Sequence, residues 1–183
     1  MAAGCSALLS FGVAGGLDPA LASGTLVLAG SVIDPDSADV STDPAWCDAV
    51  AGDLLSANIE FVRGAVVGTD SAICGPGSKR NLFDGTKGVS VDMESHAVMR
   101  TAKEHGLPWL AVRAVADSAR DTLPPIAMSA VDAVGGVRYG ALSVSVLRRP
   151  SQFTDLIRLW RMSRPAFAAL RRVAALPSLR GPL

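Results

Sequence analysis

Two acidic residues sit where chemistry is done in alternating strand–helix proteins. Glu94, in the run Val91-Asp92-Met93-Glu94-Ser95, follows a short apolar segment and opens a helical pattern. Asp117 ends the run Val112-Arg113-Ala114-Val115-Ala116-Asp117, the most strand-like stretch of the chain. In open α/β sheets, ligands bind outside the carboxyl ends of strands, so both carboxylates can converge on one crevice. A carboxylate pair on one crevice suits acid–base work: one group can hold a ligand while the other supplies a proton. Plain structural roles are open to both. A glutamate in a first helical turn is favoured by the helix dipole, and an aspartate after a strand serves as an N-cap, here before Ser118-Ala119-Arg120. Arg113 is harder to explain away, because a charge inside an apolar strand must be paired or face a site. The pair Gly15-Gly16 alone signals only a turn.

The elements that must position these residues emerge from the pattern. Ala7–Phe11 is a short apolar run, and Gly12-Val13-Ala14-Gly15-Gly16 reads as a tight loop after it. Residues 25–33 are rich in β-branched and apolar types and read as a strand. Asp34–Asp43 is polar and reads as a loop. Asp43-Pro44 starts a helix whose apolar residues are Trp46, Val50, Leu54 and Leu55. Phe61–Val67 is another strand. Asp70–Gly88, with Gly75-Pro76-Gly77-Ser78, reads as a long loop holding at most a helical turn. Gly88–Val91 reads as a strand, and Asp92–His105 as a helix closed by Gly106. Trp109–Val115 is a strand, and Ile126–Leu147 a long helix after Pro124-Pro125. Strands alternating with helices predict an α/β fold: a three-layer, mostly parallel mixed sheet with helices on both faces.

Composition fits a soluble enzyme domain. The chain has 183 residues, 49% of them apolar, enough for a sizeable core. Three widely spaced cysteines, Cys5, Cys47 and Cys74, read as reduced thiols in a cytoplasmic protein. Two histidines, His96 and His105, argue against a multi-histidine metal site, so no metal is expected. The first ten residues lack the basic region of a signal peptide, and no uncharged stretch is long enough to span a bilayer.

Charge divides the chain. From Arg148 onward there are eight arginines against one acid, a net +7. Residues 1–147 carry nine Lys+Arg against sixteen Asp+Glu, a net −7. The division predicts a domain over 1–147 and a basic amphipathic helical tail over 148–183. Arg148-Arg149-Pro150 breaks the chain there. One helix, Ser151–Ser163, carries Phe153, Leu156, Ile157 and Trp160, and a second starts at Pro165 with Phe167, Leu170 and Val173. Such a tail either lies on an anionic membrane interface through residues 151–175 or packs on its own acidic domain. The protein would then be cytoplasmic, peripheral at the inner membrane face in the first case. A nucleic-acid partner is not expected, since the tail has no recognised motif and the body is acidic.

Taken together, Gly12-Val13-Ala14-Gly15-Gly16-Leu17, Val91-Asp92-Met93-Glu94-Ser95 and Val112–Asp117 resemble the superfamily of purine nucleoside phosphorylases and methylthioadenosine/adenosylhomocysteine nucleosidases. The motifs stand in that family's order, and the resemblance covers roughly Ala7 to Leu147. Within it, the phrases LLSFGVAGGLDPAL, VDMESHAV and LAVRAVAD and the Arg-rich tail are similar to the hopanoid-associated phosphorylases, also described as adenosylhopane nucleosidases. The resemblance implies cleavage of the N-glycosidic bond of a purine (adenine) nucleoside, with the nucleoside part of an adenosyl-hopanoid. It implies three catalytic residues. Glu94 would hold the ribose hydroxyls, Asp117 would donate a proton toward N7 of adenine, and Arg113 would sit near the ribose and the nucleophile. Met93 would pack on the sugar, Ala14 and Gly15 would line the base, and Ile73 would contact its edge. No cofactor is implied beyond phosphate as an alternative co-substrate, and a homo-oligomer is.

The sequence departs from that family in two ways. It begins almost on the ALLSFG strand, so the portion carrying a water-activating glutamate, or a phosphate loop, has no counterpart here. The expectation is an N-terminally incomplete member, lacking the first strands, or a non-catalytic nucleoside-binding module. Ser10 and Val13 also stand where the bacterial phosphorylases place an arginine and a serine, which favours water over phosphate. Ala116 replaces the serine usual before the aspartate.

Overall fold

The computed structural model describes residues 4–34, 39–123 and 151–182, with side chains in the last segment from Ile157 onward. The helix expected over Ile126–Leu147 and the break at Arg148-Arg149-Pro150 lie outside the described residues.

Six strands make one mixed sheet: β1 (Leu8–Gly16), β2 (Leu26–Ile33), β3 (Val40–Ser41), β4 (Phe61–Gly68), β5 (Ser90–Asp92) and β6 (Trp109–Asp117). Their order is β3-β2-β4-β5-β1-β6, and β2 also pairs with β6. That last pairing, antiparallel through Leu26–Leu28 and Val112–Ala114, closes β2, β4, β5, β1 and β6 into a ring. The ladders β1–β6, β2–β4 and β4–β5 are parallel, and β1–β5 and β2–β3 are antiparallel. The expected α/β mixed sheet is present, and it is curved onto itself.

The helices are α1 (Pro44–Ser56), α2 (Pro76–Thr86), α3 (Ser95–His105) and α4 (Ser151–Val173), with a 3-10 turn after them at Pro177–Arg180. α1 begins as its sequence predicts. The Asp43 carboxylate accepts the Trp46 amide at 2.8 Å and Pro44 occupies the first helical turn. It buries Trp46, Cys47, Val50, Ala51 and Leu54 against β2 and β6, and full burial of a side chain like Leu54 contributes roughly 1.5–3 kcal/mol. Leu55, expected on the same face, is exposed. α3 ends on Gly106 at φ +63°, the left-handed cap that glycine adopts without strain.

Four expectations need correction. The glycine run 12–16 is strand, not loop: Gly12 to Gly15 continue the β1–β6 ladder opposite Arg113 to Asp117. Glycine is required because a neighbouring side chain fills the space. A Cβ on Gly12 would lie 2.6 Å from Arg113 Nη1. Residues 76–86 form a full helix in place of the expected loop, with Pro76 in its first turn. α3 begins at Ser95, three residues later than the pattern indicates, because Asp92 ends β5 and turns back to cap it.

The tail is one helix, not two. An interior proline costs about 3 kcal/mol or more, which is why Pro165 predicts a break. Here Ser23 Oγ donates to the Met162 carbonyl at 2.6 Å, and Pro165 packs against Gly24, where a Cβ would stand 2.9 Å from the proline ring. Ala166, Leu170, Val173 and Leu179 enter the core formed by α1, β2 and β6. Trp46 Nε1 donates to the Ser178 carbonyl at 2.6 Å and fixes the end of the chain. Ile157, Trp160 and Phe167 remain exposed. No described helix is long and apolar enough to cross a membrane.

Candidate active site

A cavity of about 700 Å³ opens at the carboxyl ends of β1, β5 and β6. It gathers every residue singled out from the sequence: Ala14, Gly15, Ile73, Met93, Glu94, Arg113 and Asp117 all line it. The remaining wall is largely apolar, with Leu9, Phe11, Val13 and Ala116 joined by Phe167 and Leu170 of α4.

Asp117 is aimed by a bulge. β1 and β6 run in register from Leu8↔Trp109 to Ala14↔Val115, then Gly15 pairs with Asp117 and Ala116 is skipped. The extra residue turns the Asp117 side chain over Gly15. A Cβ on Gly15 would lie 3.5 Å from Oδ2 and 3.7 Å from Oδ1. Asp117 does not cap the turn after β6. Asp121 does that, accepting the Ser118 amide at 2.8 Å and its hydroxyl at 2.7 Å. Asp117 is 5% exposed. Burial pushes its carboxyl above the usual aspartate range, the nearby Asp121 charge adds to this, and Lys79 opposes it.

Lys79, which the sequence pattern does not single out, also stands at this site. It lies in α2 and is fully buried. Its Nζ donates to Asp117 Oδ2, to the Ser118 carbonyl at 2.7 Å and to the Asp121 carbonyl at 3.2 Å. One signal existed. Lys79, Leu82 and Phe83 stand at i, i+3 and i+4, on one helical face, and Leu82 and Phe83 pack into the core beside Leu17, Val67 and Val91.

Arg113 answers the question its sequence raised. It is buried, and its Nε and Nη2 are committed. Nε pairs with Asp92 Oδ2 at 2.5 Å, and Nη2 donates to Ser10 Oγ at 2.5 Å and Ser95 Oγ at 3.0 Å. Ser95 Oγ donates in turn to Asp92 Oδ2. Nη1, toward the cavity, lies 3.5 Å from Glu94 Oε2. Nothing in the sequence pattern marks Asp92, Ser10 and Ser95 for this role. Asp92 also accepts the Glu94 and Ser95 amides at 3.1 and 2.9 Å, so it caps α3. Glu94 makes no capping bond, and its side chain is 64% exposed. Met93 beside it is half-exposed. The capping at these two turns is done by Asp92 and Asp121, so neither Glu94 nor Asp117 is spent on it.

The arrangement can hold a hydroxylated ring between Glu94 and the apolar wall, while a buried carboxyl with a raised proton affinity faces the same space. Among the described residues there is no cluster of three metal-ligating side chains.

Solved structures share this fold. A 5′-methylthioadenosine/S-adenosylhomocysteine nucleosidase from Campylobacter jejuni superposes with a TM-score of 0.60 at 23% identity, over 63% of this chain and 58% of that one. A futalosine hydrolase mutant from Helicobacter pylori gives 0.61 at 21% identity, over 66% and 60%. The Helicobacter pylori 5′-methylthioadenosine/S-adenosylhomocysteine nucleosidase with butyl-thio-DADMe-Immucillin-A gives 0.66 at 17%, over 95% and 70%. The chain thus spans about three fifths of the length of the first two. A comparison with curated proteins returns no match. The family model described as the phosphorylase superfamily matches residues 1–135, most of the length, and on that ground the chain belongs to the phosphorylase superfamily.

Proposed function

We propose that the cavity binds a purine nucleoside and that its side chains cleave the N-glycosidic bond. The observation that carries this reading is the placement of two unlike carboxyls on one space: exposed Glu94, and buried Asp117 with its proton affinity raised. As the bond between C1′ and N9 breaks, its electron pair goes to the purine and positive charge develops on the ribose. Asp117, protonated, delivers its proton to N7, while the oxygen of an attacking water bonds to C1′ and that water gives up a proton to solvent, from which the Asp117 carboxyl is protonated again. Glu94 accepts hydrogen bonds from the ribose hydroxyls and lies near the cationic sugar. Met93 packs on the sugar, Ala14 and Gly15 line the base, and Ile73 contacts its edge.

Arg113 favours water over phosphate as the attacking group. Its Nε and Nη2 are committed to Asp92, Ser10 and Ser95, and its charge is already balanced. A phosphate would have to draw on Nη1 alone. In this reading Arg113 orders Glu94 and the ribose side of the cavity.

The finer assignment is an adenosine whose 5′ carbon carries a hopanoid. The sequence phrases similar to hopanoid-associated members support it, as does the apolar wall of Leu9, Phe11, Phe167 and Leu170. A tail contact with an anionic membrane belongs to the same reading. Exposed Ile157 and Trp160 lie beside Arg161 and Arg164, the latter stacked on the Trp160 ring at 4.7 Å. Flotation with anionic vesicles tests it, and equal flotation of an Ile157→Ser/Trp160→Ser variant removes it.

Adenine release from 5′-substituted adenosines, measured with and without phosphate, tests the main proposal. Release without phosphate is the expected result. Release that requires phosphate assigns a phosphorylase. Adenosine bound with no adenine released assigns a nucleoside-binding module.

A further inference from the structure

Lys79 is fully buried, an unusual place for an ammonium. Its position in the fold is specific: α2 carries it beneath the cavity floor, thirty-eight residues before the carboxyl it meets. An ammonium has three protons to donate. Here three acceptors surround it, namely Asp117 Oδ2 and the carbonyls of Ser118 and Asp121. Every donor of the charged form is therefore matched, which a buried charge requires if it is to persist.

The contact is one-sided on the carboxyl. Lys79 takes Oδ2, and the carboxyl is thereby held flat over Gly15, with Oδ1 3.7 Å from the point where a side chain on Gly15 would begin. Among the described residues, Lys79 is the side chain that hydrogen-bonds the Asp117 carboxyl. The two backbone carbonyls matter as well. They tie Lys79 to the turn after β6, so the carboxyl, the turn and α2 move together.

We propose that Lys79 is a positioning residue for Asp117: its ammonium engages Oδ2, presents the carboxyl to the cavity in one orientation and sets a positive charge against it. The inference rests on the nucleoside-cleaving reading for its purpose, but not for its geometry. The opposing influences are clear in sign. Burial drives the Asp117 carboxyl toward its protonated form, the Asp121 charge acts in the same direction, and the Lys79 ammonium acts against both. Asp121, against its own partial burial, is held ionised by its Ser118 bonds, with Lys79 and Arg158 of α4 as nearby positive charges. Glu94 and Arg113 face the same cavity from the other side.

The test uses the whole chain and reads the carboxyl directly. Carbon-13-labelled aspartate is titrated by NMR in the native protein and in Lys79→Met, with Asp117→Asn to assign the signal. Methionine keeps the volume and removes the charge. The Asp117 midpoint is expected to rise by about one to three pH units in Lys79→Met, the usual effect of removing an adjacent opposite charge. An unmoved midpoint overturns the inference, whether or not the protein cleaves any nucleoside. Where adenine release is measurable, kcat falls by roughly ten- to a hundredfold with KM near native, the loss expected from a misplaced catalytic group. The alkaline limb of the rate profile then moves upward with the NMR midpoint. A lower rate with an unmoved limb overturns the inference and makes Lys79 merely structural. If Lys79→Met fails to fold, Lys79→Met/Asp117→Asn settles the matter. Recovery of the fold in that double variant supports the pairing, and equal failure shows that the lysine serves the Ser118 and Asp121 carbonyls instead.

Discussion

The two sides of the cavity hold their carboxyls in opposite ways. On the β5–α3 side, Glu94 reaches outward from a rigid base. Asp92, Ser10, Ser95 and Arg113 form a buried, hydrogen-bonded platform beneath it, and its own side chain is left in solvent. On the β6 side, Asp117 is itself buried, and a single lysine engages its oxygen. An exposed carboxylate is adaptable, and its oxygens accept hydrogen bonds from hydroxyls. A buried one gains proton affinity, which suits an acid. The difference lies in what surrounds each group, not in the group.

The sharpest way to break the comparison is Asp117→Asn. The amide still offers Lys79 an oxygen but can no longer give a proton. Adenine release should fall by about 10²–10⁴-fold, the typical contribution of a general acid, while nucleoside binding measured by calorimetry stays close to native. A near-normal rate would reject the acid role. In the native protein, the proton that Asp117 delivers must be on the carboxyl beforehand. Its raised affinity therefore places the alkaline limb of the rate above the ordinary aspartate value of 3.8, and activity should be lost as pH rises through the shifted value.

The platform side should break as structure first. Asp92→Asn leaves Arg113 buried with half its pairing gone. Removing one partner of a buried ion pair costs about 3–5 kcal/mol, so urea unfolding should shift by that order and Glu94 should lose its footing. Unfolding close to native would mean that Ser10 and Ser95 suffice to hold the arginine. Glu94→Gln is milder. It keeps the shape and loses the charge, so rate should fall by roughly ten- to a hundredfold as one or two charge-assisted bonds weaken. Stability should be unchanged, because the side chain is solvent-exposed. A large stability loss would show that Glu94 belongs to the platform after all.

The same contrast separates what is legible in the sequence from what is not. Local chemistry is legible: Asp43-Pro44 starts α1, Gly106 ends α3, and the strand residues of β2, β4 and β6 declare themselves. Arg113 announces a partner because a charge in an apolar strand needs one. Its partners stay hidden, since Ser10 and Asp92 arrive from β1 and β5 through the sheet. Gly12–Gly16 misreads as a loop because glycines are ambiguous until the neighbour that needs the space, Arg113 or Asp117, is in place. Lys79 stands between polar Ser78 and Arg80, in a stretch that reads as a loop. Only the meeting of α2 with the turn after β6 makes it interior. Pro165 argues for a break whose cost is offset by Ser23 and Gly24, residues of a distant turn.

The smallest expected effect concerns the wall that joins the two sides. Phe167 stands on α4, lines the cavity, and is still half open to solvent. Leu170, one turn on, is buried in the core and anchors the helix. Both line the cavity, but only Leu170 is also buried in the core, so Phe167 can be changed without touching it. Phe167→Ala removes apolar contact without opening a core void, so thermal unfolding should barely move. If the wall receives the 5′ substituent, KM for adenosines with a long apolar 5′ group should rise by a few-fold to tenfold, in line with about 25 cal/mol per Å² of lost apolar contact. KM for adenosine itself should not change. Equal effects on both substrates would place the 5′ group elsewhere. The Glu94 and Asp117 sides would then share only the sugar and the base, and the lipid part of the assignment would fall with the nucleoside part intact.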